Sequence, residues 1–99
     1  MEYKFTDILK RWDGDGGWYY VRLPKEAYSE IKEVSSELGP KRGFGAVKVK
    51  ATIGKTSWET SIFPDSEDKS YILFIKKAIR TAESLEVSSA MNLRVLLSV

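Results

Sequence analysis

The sequence predicts a small, mainly β domain with two short helices, an antiparallel barrel-like sheet plugged by helical segments. Three observations carry this. Residues 46–53 alternate apolar and polar from Val47 onward, the period of a half-buried strand. Asp13-Gly14-Asp15-Gly16-Gly17 is a strong turn signal between two strand-like runs, because glycine supplies positive φ and aspartate bonds its own backbone. Most connections between strand-like runs are also too short for the parallel crossover, which needs a dozen or more residues. At 99 residues and 11.3 kDa, one domain over 1–99 is expected.

Each element follows from local pattern. Residues 3–11 read as a first strand with Tyr3, Phe5 and Leu9 on one side, and residues 18–23 return as its hairpin partner. Pro24 suits the first turn of a helix, where its missing N–H is no loss, and Glu26 complements the dipole there. Ala27, Ile31, Val34 and Leu38 then recur at helical spacing until Gly39-Pro40 stops the helix. In residues 46–53, Val47, Val49, Ala51 and Ile53 face inward while Lys48, Lys50 and Thr52 face outward. Gly54-Lys55 turns the chain into a paired strand over 56–63, and residues 64–68 form a polar loop. Residues 71–75 are apolar throughout, the mark of a central strand covered on both faces. Ile75, Ala78, Ile79 and Ala82 predict a short helix over 76–85. Met91, Leu93, Val95, Leu97 and Val99 share one face of the last strand.

Composition excludes several chemistries. The chain has neither Cys nor His, which removes disulfides, thiolate nucleophiles, the commonest general base and the commonest metal ligand. The Asp-Gly-Asp-Gly run is not a calcium loop of EF-hand type. Counting from Asp13, the fifth place is Gly17 and the twelfth is Pro24, and neither can ligate as required. No stretch approaches the ~18 apolar residues of a membrane span. The N-terminus shows no charged segment leading into an apolar one. A cytoplasmic protein without a membrane partner is expected.

Charge is segregated although the net is only +2. Lys41, Arg42, Lys48, Lys50 and Lys55 lie in one acid-free stretch, and Lys76, Lys77 and Arg80 in another. These hold eight of the sixteen basic residues, so the other eight face all fourteen acids and the remainder of the chain sums to −6. Such a field attracts anions more than the net charge suggests.

Three constellations carry candidate chemistry. Arg42-Gly43-Phe44-Gly45 reads either as a guanidinium beside backbone N–H groups open to an anion, or as a β-bulge with Phe44 in the core. Trp58 with Thr60 suits a planar ligand stacked on indole and oriented by a hydroxyl; equally, Trp58 fills the barrel. Ser57, Glu59, Ser61 and Phe63 point to the opposite side. Lys76, Lys77 and Arg80 crowd like charges on one short helix. Something negative must offset them: Glu83, the acidic loop of Asp65 and Asp68, or a bound anion. The candidate ligand-binding set is Arg42, Trp58, Thr60, Ser61, Lys76, Lys77 and Arg80. No catalytic residue, metal or cofactor is expected.

The motifs together resemble a known family. Arg42-Gly43-Phe44-Gly45-Ala46-Val47, Trp58-Glu59-Thr60-Ser61-Ile62-Phe63-Pro64, and Tyr71-Ile72-Leu73 followed by Lys76-Lys77 and Arg80 are similar to the bacterial and archaeal domain of unknown function 1905. Gly16-Gly17-Trp18 and Val21-x-Leu23-Pro24 fit as well. The resemblance implies a small antiparallel split β-barrel, or pseudo-barrel, capped by helices, in a family without an established activity. The chain departs from the pattern at Ser88-Ser89, where a Gly-Asp step is usual.

The leading expectation is a binding module for an anionic or planar small ligand. The alternatives are a nucleic-acid binder using the strand face of Lys48 and Lys50, with Lys55, and a protein-interaction or dimerisation module built on the apolar edge of the last strand. A monomer or a homodimer fits these readings.

Overall fold

The strict alternation of residues 47–53 makes one strand half-buried, and every neighbouring strand is organised around it. The computed structural model of the chain describes residues 1–14, 16–37 and 45–98. In chain order the elements are β1 (Glu2–Ile8), β2 (Lys10–Arg11), β3 (Tyr19–Arg22), α1 (Glu26–Glu37), β4 (Val47–Ile53), β5 (Thr56–Asp65), β6 (Ser70–Phe74), α2 (Lys77–Ala82) and β7 (Ala90–Leu97). The strands form a seven-stranded antiparallel sheet in the order β1-β7-β4-β5-β6-β3-β2. The mainly β class, the antiparallel pairing and the two helices agree with expectation.

The two ends of that order are one segment of chain. β1 pairs with β7, from Glu2↔Leu96 to Ile8↔Ala90, and β2 pairs with β3 through Lys10↔Tyr20 and Arg11↔Tyr19. Leu9 lies between them, 1% exposed, and the expected single strand over 3–11 breaks there. The Leu9 N–H donates to Ser89 O at 2.9 Å, and Ser88 N–H donates to Leu9 O at 2.8 Å. The Asp7 carboxylate then bridges the gap between the sheet's ends by accepting the Arg22 N–H at 2.9 Å. The sheet is nearly closed into a barrel. Ser88 holds φ at 72°, in the left-handed region that glycine occupies with least strain.

Inside the barrel, Val49, Ala51, Ile62, Leu73, Val95 and Val21 are all at or below 1% exposure. β6 lies between β5 and β3, and Ser70 to Leu73 is buried at every position, as its apolar run requires. Helix α1 covers the barrel with Ala27 and Ile31 buried and turns Glu26, Glu30, Lys32 and Glu33 outward. The expected helix stop at Leu38-Gly39-Pro40 lies outside the described residues, as do Lys41 to Phe44 and Val99.

Three expectations are corrected. α2 is shorter than 76–85, and Ala78 and Ala82 are exposed; only Ile79 of this helix is buried. At six residues it makes fewer than two turns, too few for a stripe. β5 extends past Phe63 to Asp65. Last, β7 is no sheet edge. It is paired with β1 on one side and β4 on the other, which removes the premise of a dimer built on the edge of the last strand.

The C-cap residue of α2 is tied to the β4–β5 turn. The Thr56 hydroxyl donates to Glu83 Oε2 at 2.6 Å, and the carboxylate lies over Gly54, whose φ is 57°. A Cβ at Gly54 would collide with Glu83 Oε1. Gly54→Ala is therefore expected to cost about 1–2 kcal/mol by urea denaturation, from positive-φ strain and the displaced carboxylate.

Candidate functional site

β5 and β6 part company half-way along. Their ladder runs from Asp65↔Ser70 to Ile62↔Leu73, whereas β5 continues back to Thr56 paired only with β4. On the other side, β6 stays with β3 to Tyr20↔Phe74, and Ile75 N–H still donates to Tyr19 O at 2.8 Å. The chain then leaves the sheet for α2. A cleft of about 300 Å³ opens where the two strands separate.

Aromatic rings form much of its wall. Trp58, 9% exposed, fills the barrel core as one sequence reading expected, and it also lines the cleft. Trp18 stands at the rim, 55% exposed, with its ring 5.3 Å from that of Phe74. The preceding glycines put it there. Gly16 and Gly17 have φ of 96° and 60°, and a Cβ on Gly16 would come within 2.7 Å of Trp18 Nε1. Tyr19 packs against the core below.

Lys76, Lys77 and Arg80 supply the opposite wall. Arg80 is the ordered member: its guanidinium carbon lies 3.8 Å from the centre of the Tyr19 ring, and Nε donates to Ile75 O at 3.3 Å. Stacking on an aromatic face leaves the outer guanidinium donors free to reach a ligand. Among the described residues, none of the three cations forms an ion pair. Both internal partners expected for them are engaged elsewhere. Glu83 accepts from Thr56, and Asp65 and Asp68 pair with Arg22, at 2.9 and 3.4 Å. The acid at the cleft is Glu59, opposite Lys50 in the β4–β5 register.

Five of the seven candidate residues thus line one cleft: Trp58, Thr60, Lys76, Lys77 and Arg80. Ser61 does not join them. It lines a separate groove of about 570 Å³ on the outer face, with Lys48 and Phe63, as alternation along a strand requires. Arg42 lies outside the described residues. Sequence reasoning missed Trp18, Tyr19 and Phe74, although a Gly-Gly-Trp step in a hairpin was a usable signal of an indole held at a turn.

A groove of about 470 Å³ between Lys4, Thr6, Thr52, Asn92 and Arg94 is less suited to a ligand, because its polar groups are already partnered by one another or by neighbouring side chains. Thr6 donates to Asn92 at 2.8 Å, Thr52 and Ser57 share a bond of 2.8 Å, and Arg94 and Lys4 both approach Glu2.

The family model described as a domain of unknown function, DUF1905, matches residues 5–95. The chain belongs to the DUF1905 family. The matched span takes in β2 to β6, both helices and most of β1 and β7 of this DUF1905 domain, and so every described residue of its cleft. No curated protein matches the chain. Among the described residues of this DUF1905 domain, no helix is long and apolar enough to cross a membrane.

Proposed function

We propose that this DUF1905 domain is a binding module whose cleft takes a small ligand with an anionic group and a flat ring. One observation carries the reading: three cations without an acid partner among the described residues face aromatic rings across one cleft. Lys76, Lys77 and Arg80 would hold the anion, Trp18 and Trp58 would stack the ring, and the Thr60 hydroxyl would orient it. Nothing in this arrangement calls for catalysis. A cytoplasmic setting is part of the same proposal.

The test is thermal shift with adenosine monophosphate, inorganic phosphate and adenosine as separate probes. The monophosphate is expected to stabilise most, because it alone offers both halves. At about a hundred times its Kd it should add about 2.7 kcal/mol, on the order of 10 °C for a chain this size. Arg80→Met should lose that response at a cost of about 0.5–1 kcal/mol of stability, since it also gives up the stack on Tyr19. Lys76→Gln with Lys77→Gln should weaken the response without touching the fold, both side chains being exposed. An unchanged response in both variants, or none in the parent, overturns the reading.

A further inference from the structure

The outer face of the sheet carries aromatic rings that the barrel core does not use. Trp18 packs on Phe74, and Phe74 on Phe63 with ring centres 5.9 Å apart, a row crossing from the β3 hairpin over β6 to β5. Tyr20 is the cross-strand neighbour of Phe74 on the same face, but Lys10 and Arg22 already lie over its ring. The row therefore consists of Trp18, Phe74 and Phe63.

Cations stand at both ends of it. At the Trp18 end are Lys76 and Lys77 of the cleft. At the Phe63 end, Lys48 lines the same groove, paired in register with Ser61 next along that face, and Lys50 follows on β4. Both β4 lysines are exposed and neither forms an ion pair among the described residues. The cleft and the separate groove meet along β5, where Glu59 and Thr60 line both. Glu59 is the acid at that junction.

We propose that this face is a track for single-stranded nucleic acid, with bases stacked along Trp18, Phe74 and Phe63 and phosphates held by Lys48 and Lys50 at one end and Lys76 and Lys77 at the other. The track runs into the cleft, and to that extent it rests on the reading of the cleft as an anion site. A row of rings flanked by cations selects an unpaired strand. A duplex hides its base faces and offers only phosphate, whereas an unpaired base stacks on any exposed ring whatever its sequence.

The experiment is fluorescence anisotropy with a labelled oligothymidylate of roughly 12 nucleotides and with the corresponding duplex. The single strand is expected to bind better than the duplex. With three or four phosphates neutralised, log K should fall against log salt with a slope of about −2 to −3. Phe63→Leu keeps an apolar side chain but loses the stacking face, and should weaken binding about tenfold or more. Lys48→Gln with Lys50→Gln, both on the exposed strand face, should make the slope shallower by about 1.4. The two lysine substitutions lie outside the cleft lining and should leave its response to adenosine monophosphate unchanged. Equal affinity for duplex and single strand, with Phe63→Leu indifferent, overturns the proposal in favour of plain charge attraction. Absence of binding at low salt also overturns it, and a persisting monophosphate response would then leave the cleft reading standing alone. Loss of both responses in the parent chain would remove both.

Discussion

Leu73→Ala is expected to lower the free energy of unfolding by about 2–5 kcal/mol, read as a lower urea midpoint at unchanged slope. Leu73 is 0% exposed, lies on the strand covered on both faces, and is the register partner of Ile62 on β5 and Val21 on β3. Neighbours on both sides are held by sheet hydrogen bonds, so the cavity cannot collapse, which places the loss in the upper half of that range. The consequence reaches the cleft. Ile62↔Leu73 is the last rung before β5 and β6 separate, so loosening it should also enlarge the opening and weaken the monophosphate response in thermal shift. A loss below about 1 kcal/mol would mean that the rung is not well packed.

The second large effect is expected at Arg22. Its guanidinium donates to Asp65 Oδ2 at 2.9 Å and Ser70 Oγ at 3.0 Å and approaches Asp68 Oδ2 at 3.4 Å, while Lys25 reaches Asp68 from just before α1. Ser70 is 1% exposed, and its hydroxyl donates to Asp68 Oδ2 at 2.7 Å. Arg22→Met keeps much of the stem's packing but strands these acceptors. The expected cost is about 1.5–3 kcal/mol, nearer the lower end because the pair is about a quarter exposed.

Acid should act on the same network. The hydrogen bond from Arg22 holds the Asp65 carboxyl below its usual range, and the Ser70 hydroxyl followed by Lys25 and Arg22 does the same for Asp68. At Asp7 burial pushes upward, but the Lys10 ammonium at 2.6 Å and the Arg22 N–H outweigh it. All three are lowered in the folded state. Their contribution is therefore present above the ordinary carboxylate value of 3.8 and is lost as pH falls through the folded values beneath it. Melting temperature should hold level down to about pH 5 and fall steeply below about pH 4, and Arg22→Met should flatten that fall. A fall of the same steepness in the variant would show that other groups govern it.

Much of this architecture was legible where one strand face is buried. Residues 47–53 alternate because Val47, Val49, Ala51 and Ile53 enter the core, and a register slip would expose all four. The break at Leu9 was not legible. Tyr3, Phe5 and Leu9 keep the strand period straight through it, and what bends the chain there is the turn at Ser88 and Ser89, distant in sequence. The cleft was legible as residue types, an indole, a hydroxyl and three cations, on β5 and around α2. Its other wall was not, since Tyr19 and Trp18 arrive only through the long-range pairing of β3 with β6. Ser61 was misplaced for a plainer reason: it is the odd-phase neighbour of Thr60, and adjacent strand residues face opposite ways.

The pairing of β1 with β7 sets an order of events for the chain. Glu2 meets Leu96 and Ile8 meets Ala90, so the first strand made finds its partner only when the last strand exists. On a ribosome the hairpin of β4 and β5 can assemble as it emerges, since those strands are adjacent in sequence. The N-terminal segment must wait, with Tyr3 and Phe5 unshielded, until about ninety residues have followed it. Closure of the barrel is then a late step of high loop-closure entropy, and it comes after the strands that form the cleft have been made.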